Sequence, residues 1–566
     1  MKRVLKLVLN KKIYLVILVL LSTFLFACTG PSIETFYIKR LKELNLYVYE
    51  EYTFEEEYYS SNPSIFKIED NIGTALNEGD VTVYKDSVNS PIFIVHIKND
   101  AKYISAEFDN ILKVGDSVDI NVVVSPLSVS QEVEYEISDE NIIKVEDGKL
   151  YGLSLGYADL TITSKVNKNV KTKLAVIVQN EDEINYDDEI EFEIDEENNH
   201  NIDPSKIETE INALIKTTYD AFVGICQYTN AELTDFGGGV LYKRNAISKD
   251  DVMIEDFDLS KSFDDIKGFE YYVITTRNFA SVATRLSIYL GEDYDTYDAT
   301  LVEFDPKVDL ALLKFTCPYY LPLVKFGDSD NIRQGEFVIS INNSNGKDYF
   351  KTVTYGIISH TKRYVAVDTD EDQTSDWDSE FIQHDASINS DSAKKVVYTS
   401  GDIYNYINGG ALINLKGELI GLDSMKITAV DSTINNMSLS IPTNLIEDIV
   451  SILITGNKPQ RPLLGVTILD ITSYYKNKDY YNQAYGYLNI PDGLEYGFYI
   501  SDITEGGVAY QASARVGDIL LKFNGIETRY SYMLRAELGK FIIGSGDTAS
   551  LVVLRNGEEV TLTVTF

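Results

Sequence analysis

The chain has 566 residues, 44% hydrophobic and 24% charged, which is ordinary globular usage with enough apolar side chains for several buried cores. Single cores rarely grow beyond roughly 250–300 residues, so several domains are expected. With 88 acidic against 50 basic residues the formal net charge is −38, which excludes a nucleic-acid partner, because phosphate backbones require basic patches.

At the N-terminus, Lys2, Arg3, Lys6, Lys11 and Lys12 precede the apolar run Ile13 to Ala27, the layout of an export signal. The run is short for a membrane-spanning helix, which needs about 20 apolar residues. Its end, Leu25-Phe26-Ala27-Cys28, followed by the polar Thr29-Gly30-Pro31-Ser32, resembles the bacterial lipobox. The resemblance implies a lipoprotein signal peptide over 1–27, acylation of Cys28, and a lipid anchor that holds the protein on the extracellular face of a bacterial cell membrane.

An internal repeat follows. Ser61-Asn62-Pro63-Ser64-Ile65-Phe66-Lys67-Ile68-Glu69-Asp70 lines up with Ser138-Asp139-Glu140-Asn141-Ile142-Ile143-Lys144-Val145-Glu146-Asp147, and Gly79 then falls opposite Gly156. Strand-like runs surround both copies, Ile92 to Ile97 in the first and Val118 to Val124, Val133 to Ile137 and Leu174 to Val178 in the second. The pair resembles bacterial immunoglobulin-like (Ig-like) domains, at 36–98 and 101–180, modules that serve as spacers or adhesion units. Glu181 to Glu197 then carries 11 acidic side chains in 17 positions, so self-repulsion predicts an extended linker over 181–202. Its acidic spacing lacks the Gly-pivoted loop of a calcium site. No metal and no cofactor is expected.

From Asp203 onward three stretches set the argument: Val273-Ile274-Thr275-Thr276-Arg277-Asn278-Phe279-Ala280, Asp305-Pro306-Lys307-Val308-Asp309-Leu310-Ala311-Leu312-Leu313-Lys314, and Asn408-Gly409-Gly410-Ala411-Leu412-Ile413-Asn414. With the glycine-rich Phe236-Gly237-Gly238-Gly239-Val240 and the later Phe381-Ile382-Gln383-His384-Asp385 and Ser438-Leu439-Ser440-Ile441-Pro442, they resemble, in order, the serine proteases of the HtrA (DegP-like) family. In that family the three stretches carry His, Asp and Ser. The resemblance implies a trypsin-like double β-barrel over 203–457 and a homotrimer as a frequent assembly. Here Asn278 and Asn408 stand at the base and nucleophile positions, and only Asp309 remains. Acyl-transfer chemistry needs a nitrogen base to deprotonate a hydroxyl, and a carboxamide is neither, so no intact catalytic residue is expected.

Ser390 to Ile407 forms an insertion ahead of Asn408, placing Tyr406 where the family has an oxyanion-hole glycine. Ser400, inside the insertion, is the rival nucleophile, and His384 is a candidate base that we read as structural. Cys226 and Cys317 flank apolar strand-like runs and are expected to be buried thiols, with a single bridge as the alternative.

Arg461-Pro462-Leu463-Leu464-Gly465-Val466-Thr467-Ile468, with Gly517-Asp518-Ile519-Leu520-Leu521 and Val552-Val553-Leu554-Arg555-Asn556-Gly557, resembles a bacterial PDZ domain, placed at 458–566. The resemblance implies that backbone donors at Leu464, Gly465 and Val466 capture a peptide carboxylate while the peptide adds a strand. The Tyr-rich insert Tyr474 to Tyr487 is expected to cover or extend that groove. The expected fold is mainly β: Ig-like β-sandwiches, the double barrel, and a C-terminal α+β PDZ domain. The leading expectation is a pseudoprotease that binds polypeptide C-termini or unfolded segments. An active serine endopeptidase with unfamiliar site residues, and an adhesin or envelope scaffold, are the alternatives.

Overall fold

The computed structural model describes residues 42–179 and 218–566, apart from 49, 55, 86–90, 256, 258–264, 292–295, 344–345, 368–374, 389–394, 398–402 and 429–435. The signal segment, Cys28, the acidic linker and Ser400 lie outside the described residues. What is described is mainly β, arranged in several sheets.

The duplicated segments fold alike. In the first, strands Lys42–Tyr47, Pro91–Lys98, Gly79–Tyr84 and Tyr59–Ser60 form one sheet, and Glu51–Thr53, Ile72–Ala75 and Phe66–Glu69 a second. Alternate residues point inward, as Val81 and Val83 do, because side chains on a strand switch faces at every residue. The second unit packs the sheet containing Val133–Ile137, Gly156–Ser164 and Lys171–Gln179 over smaller sheets in the same way. Gly79 and Gly156 both adopt positive φ, and a Cβ on either would press on Ile65 or Ile142, the matching residues of the two copies. Asp70 and Asp147 both sit in the left-handed region. The repeat is therefore a repeated turn geometry as well as a repeated sequence.

These units are docked on the barrel that follows. Glu50 is 2% exposed and accepts hydrogen bonds from Tyr319 and Tyr297 of that barrel, with Lys102 Nζ 3.3 Å away. Arg244 and Tyr320 both bind Glu107, and Val123 joins the barrel's apolar core. Burying a carboxylate is costly unless donors replace its water, so the Glu50 contacts tie the first unit to the barrel as the Glu107 and Val123 contacts tie the second.

The first barrel is a seven-stranded sheet closed by pairing of Phe222–Thr229 with Glu232–Ser248. The second is built from Phe337–Asn342, Thr352–Val367, Trp377–His384, Gly410–Ile413, Leu419–Thr428 and Ser438–Pro442, closed by pairing of the last two. A hairpin of Lys395–Val397 and Ile403–Tyr406 adds to Leu419–Thr428 outside the closure. Between the barrels Phe222, Val240, Ile274, Leu312, Ile339 and Ala411 share one core with helix Thr443–Leu453. That helix buries Leu445, Ile446, Ile449, Val450 and Leu453, the spacing that keeps one face of a helix against its support.

The C-terminal domain is a sheet in the order Val466–Asp470, Phe498–Ile503, Ile519–Phe523, Thr548–Arg555 and Glu558–Thr565, with helix Ser531–Leu538 across its core face through Leu534 and Leu538. The helix also lies on the second barrel. Tyr364 donates to Glu537, Arg535 binds Asp378 at 2.6 and 3.1 Å, and Lys540 bridges Glu380 at 2.7 Å and Glu537 at 2.9 Å.

Candidate functional site

Strand Ile266–Thr275 delivers Thr276 and the helical turn Arg277–Ala280 to the junction of the barrels. Opposite it, Asp305 Oδ1 accepts the amides of Lys307 at 2.7 Å and Val308 at 3.1 Å, a tight turn that aims the next residues inward. Arg277 donates to the Pro306 carbonyl at 2.8 Å, tying the two segments together. The turn places Asp309 in full burial. Its Oδ1 accepts the Asn278 backbone N–H at 2.7 Å and its Oδ2 the Ser424 hydroxyl at 2.7 Å.

Asn408 arrives from the second barrel, also buried. Its carboxamide donates to the Phe236 carbonyl at 2.8 Å, and its own carbonyl accepts the Gly238 N–H at 2.8 Å. The glycine-rich segment is thus where Asn408 is held. Gly409 has φ +82°, and a Cβ there would run into the Gly238 carbonyl, so the close approach of the barrels requires glycine at this position. Asn278 and Asp309 meet directly, and Asn408 stands beside them across the glycine-rich strand: an ideal Cβ on Gly237 would touch both the Asn408 carbonyl and the Phe279 ring.

The insertion contributes strand Ile403–Tyr406, paired antiparallel with Leu419–Thr428. Tyr406 is buried; burial first, and the nearby Asp309 charge second, push its hydroxyl well above the usual phenol range. Ile407 N–H donates to the Ser424 carbonyl at 2.7 Å, and the Thr276 hydroxyl to the Ile407 carbonyl at 3.3 Å.

His384 belongs elsewhere. It is fully buried, with Nε2 2.9 Å from Ser440 Oγ and 3.2 Å from Asp423 Oδ1. Asp423 also accepts the Ser440 and Ser340 hydroxyls. This set sits within the second barrel, and its partners are not Asp309. Cys226 and Cys317 are free and buried, which disposes of a bridge between them. Among the described residues no group of metal-ligating side chains occurs. A cavity of about 450 Å³ lies between the second sandwich and the first barrel, lined by Glu107, Arg244 and Lys325 among others, away from Asn278 and Asn408.

In the C-terminal domain Val466–Asp470 is the edge strand. Before it, Gly465 takes φ +74°, and the carbonyls of Leu464 and Gly465 accept Ala509 and Thr504 N–H at 3.0 and 2.8 Å. Among the described residues no acceptor takes the amides of Leu464 or Gly465. Leu464 is buried in the domain core while Val466 and Ile468 are only partly covered by it, and Leu463 is 80% exposed. The Tyr-rich insert packs on one face of this sheet, with Leu469 of the edge strand among its neighbours. Its helices Ile471–Lys476 and Lys478–Tyr485 bring Ile471 and Tyr474 onto Tyr499, Ile519 and Leu521, the face of the sheet opposite the core, because those strands alternate apolar residues on both sides.

The trypsin-like peptidase domain family matches residues 265–422, a range that contains Asn278, Asp309 and Asn408. The chain is 32% identical over 292 residues to the serine protease Do-like HtrA of Bacillus subtilis (strain 168), covering 51% of this chain and 59% of that protein. It is 28% identical over 289 residues to the periplasmic serine endoprotease DegP of Escherichia coli (strain K12), covering 51% of this chain and 53% of that protein. The double barrel is similar to the trypsin-like fold of the HtrA/DegP-like proteases. This chain therefore spans only a little over half the length of these relatives. Among solved structures, the HtrA-type protease AlgW with tripeptide is similar at 24% identity and a TM-score of 0.39, over 63% of this chain and 95% of that one.

Sequence reasoning missed Ser424 and Phe236 as partners of the site, since a hydroxyl after Asp423 and a main-chain carbonyl carry no motif. It also missed Arg461, whose guanidinium pairs with Asp305 behind the Asp309 turn.

Proposed function

We propose that this HtrA/DegP-like chain is a pseudoprotease that binds polypeptides, with its C-terminal domain acting as a PDZ module and Cys28 as the lipid anchor on the extracellular face of a bacterial membrane. The observation that carries the reading is the fate of the polar groups in the cleft. The Asn408 carboxamide is spent on the Phe236 carbonyl, and both oxygens of Asp309 are spent on Asn278 N–H and Ser424. Neither arrangement contains a nitrogen base or a hydroxyl at the nucleophile position, the pair that hydrolysis requires, and the Ser424 hydroxyl is itself held by Asp309. Losing either the base or the nucleophile of a triad alone removes on the order of 10⁶ in turnover.

The open amides of Leu464 and Gly465 beside an edge strand support capture of a peptide C-terminus, in which main-chain donors take the carboxylate and the strand edge takes the backbone. Partly covered Val466 and Ile468 favour an apolar last side chain. Two measurements test the reading. Purified protein incubated with unfolded casein and with a fluorophosphonate should give neither hydrolysis above background nor a labelled serine; labelling in the second barrel would refute it. Free-acid peptides with apolar C-termini should bind with micromolar affinity, about −8 kcal/mol, and their amidated forms at least tenfold more weakly. Equal binding of the two forms would reassign the loop to packing.

A further inference from the structure

An extended polypeptide recognised by a β-protein pairs its backbone with an exposed strand edge. In the second barrel the strand that runs past Asp309 is Leu419–Thr428, because Ser424 Oγ touches that carboxylate. One edge of its later half pairs with Ser438–Pro442. The other edge continues the side on which Gly410–Ile413 pairs upstream, so it leads directly to Asn408. A polypeptide drawn along the cleft would have to lie there.

That edge is occupied by the chain itself. Ile403 stands opposite Thr428 and Tyr406 opposite Met425, and the pairing continues as Ile407 N–H donates to the Ser424 carbonyl at 2.7 Å. Hydrogen-bonded pairs alternate along an antiparallel ladder, so Asn405, two residues earlier and opposite Lys426, is the next to direct its N–H at this strand. The segment is pinned at its far end as well, through Thr276 on the Ile407 carbonyl and through both hydrogen bonds of Asn408. A tethered strand competes at an effective concentration on the order of millimolar, so a weak external strand does not displace it.

We propose that residues 403–408 are an intramolecular ligand of the cleft, filling a strand edge at 424–428 that would otherwise accept an extended polypeptide. The barrel then holds a latent polypeptide site, closed by the chain's own insertion, and external ligands are left to the carboxylate loop. This rests on the polypeptide-binding reading above, and its test uses a probe that the loop does not recognise.

The probe is a fluorescein-labelled decapeptide of alternating Val and Lys, acetylated and amidated at its ends, followed by fluorescence polarisation on the full chain. Two variants open the edge: Asn405→Pro, which removes the N–H facing Lys426, and replacement of residues 390–405 by a short Gly-Ser link. A gain of at least tenfold over wild type in either folded variant supports the inference, and unchanged binding in both overturns it. Hydrogen exchange on the wild type decides independently of any variant. The Asn405 and Ile407 amides should be protected to an extent comparable with Leu422, and exchange at open-chain rates would overturn the proposal. Failure of free-acid peptides to bind, with the end-blocked probe still gaining, would remove the carboxylate reading and leave this one standing.

Discussion

The cleft and the Leu464–Gly465 loop carry the same kind of equipment, backbone donors beside a strand edge, and differ in whether it is already in use. Around Asn408 and Asp309 the carboxylate oxygens, the carboxamide, the Ser424 carbonyl and the adjoining edge are all paired within the chain. At Leu464 and Gly465 the carbonyls are paired while, among the described residues, no acceptor takes the amides and the next strand is the edge of its sheet. Buried polar groups must find partners. A site that has found them internally is a piece of architecture, and one that still lacks them is poised for a ligand.

The largest effect is expected where that distinction is reversed. Restoring both missing groups, as Asn278→His with Asn408→Ser, should leave casein turnover within about tenfold of the wild-type background while the insertion stays in place. The hydroxyl and imidazole would be present, but residues 403–405 would still pair with Lys426 to Thr428 and fill the strand edge beside the cleft. Combining the same pair with the shortened 390–405 segment should raise turnover by orders of magnitude. Efficient hydrolysis by the double variant with the insertion intact would show that the cleft is open after all.

A second reversal concerns how the loop domain is held. Lys540 bridges Glu380 and Glu537, both nearly fully buried, and removing one partner of a buried pair leaves uncompensated charge at a cost of about 3 kcal/mol. Lys540→Ala should therefore release the C-terminal domain from the barrel, seen as new proteolytic cleavage near residues 455–462 with the domain core still protected. Smaller again is Gly465→Val, which puts a β-branched residue at φ +74°. Strain of about 1–3 kcal/mol should distort the loop and weaken free-acid peptides about tenfold while the end-blocked probe is unaffected.

The sequence made the barrels legible because their motifs are local: Asp305 to Asp309 is a turn followed by a strand, and Asn408 to Asn414 a glycine-rich entry to another. It also showed the duplication that aligns Ile65 with Ile142 and Gly79 with Gly156, whereas the contact each isoleucine makes with its glycine came from the structure. What it did not show is long-range pairing with no signature of its own. The insertion reads as an interruption before Asn408, and only the ladder with Met425 to Thr428 shows that it fills an edge. Glu50 carries no signal of burial in the sequence, and only tertiary packing buries it, as it partly covers Glu107 and Lys540. The Tyr-rich insert was expected at the groove because it follows the edge strand in sequence, yet its apolar residues find Tyr499, Ile519 and Leu521 on the opposite face.

The smallest effect tests the support behind the cleft. Asp305 is fully buried, and that burial raises its carboxyl above the ordinary value, while Arg461 and the amides of Lys307 and Val308 oppose the rise. A carboxyl raised in the fold binds its proton more tightly there than in the unfolded chain. Its contribution is complete below the unfolded value, about 4, and is lost as pH climbs through the folded value. Wild type should therefore lose ground to Asp305→Asn as pH rises from about 3.5 to 6, when melting temperatures are compared at each pH, because every other titrating group is shared by the two proteins. Arg461 remains charged across that window and contributes a constant offset, so the slope of the difference reports Asp305 alone. A difference of opposite slope would mean that the guanidinium outweighs desolvation, making the Asp305–Arg461 contact the stabilising clamp behind the Asp309 turn.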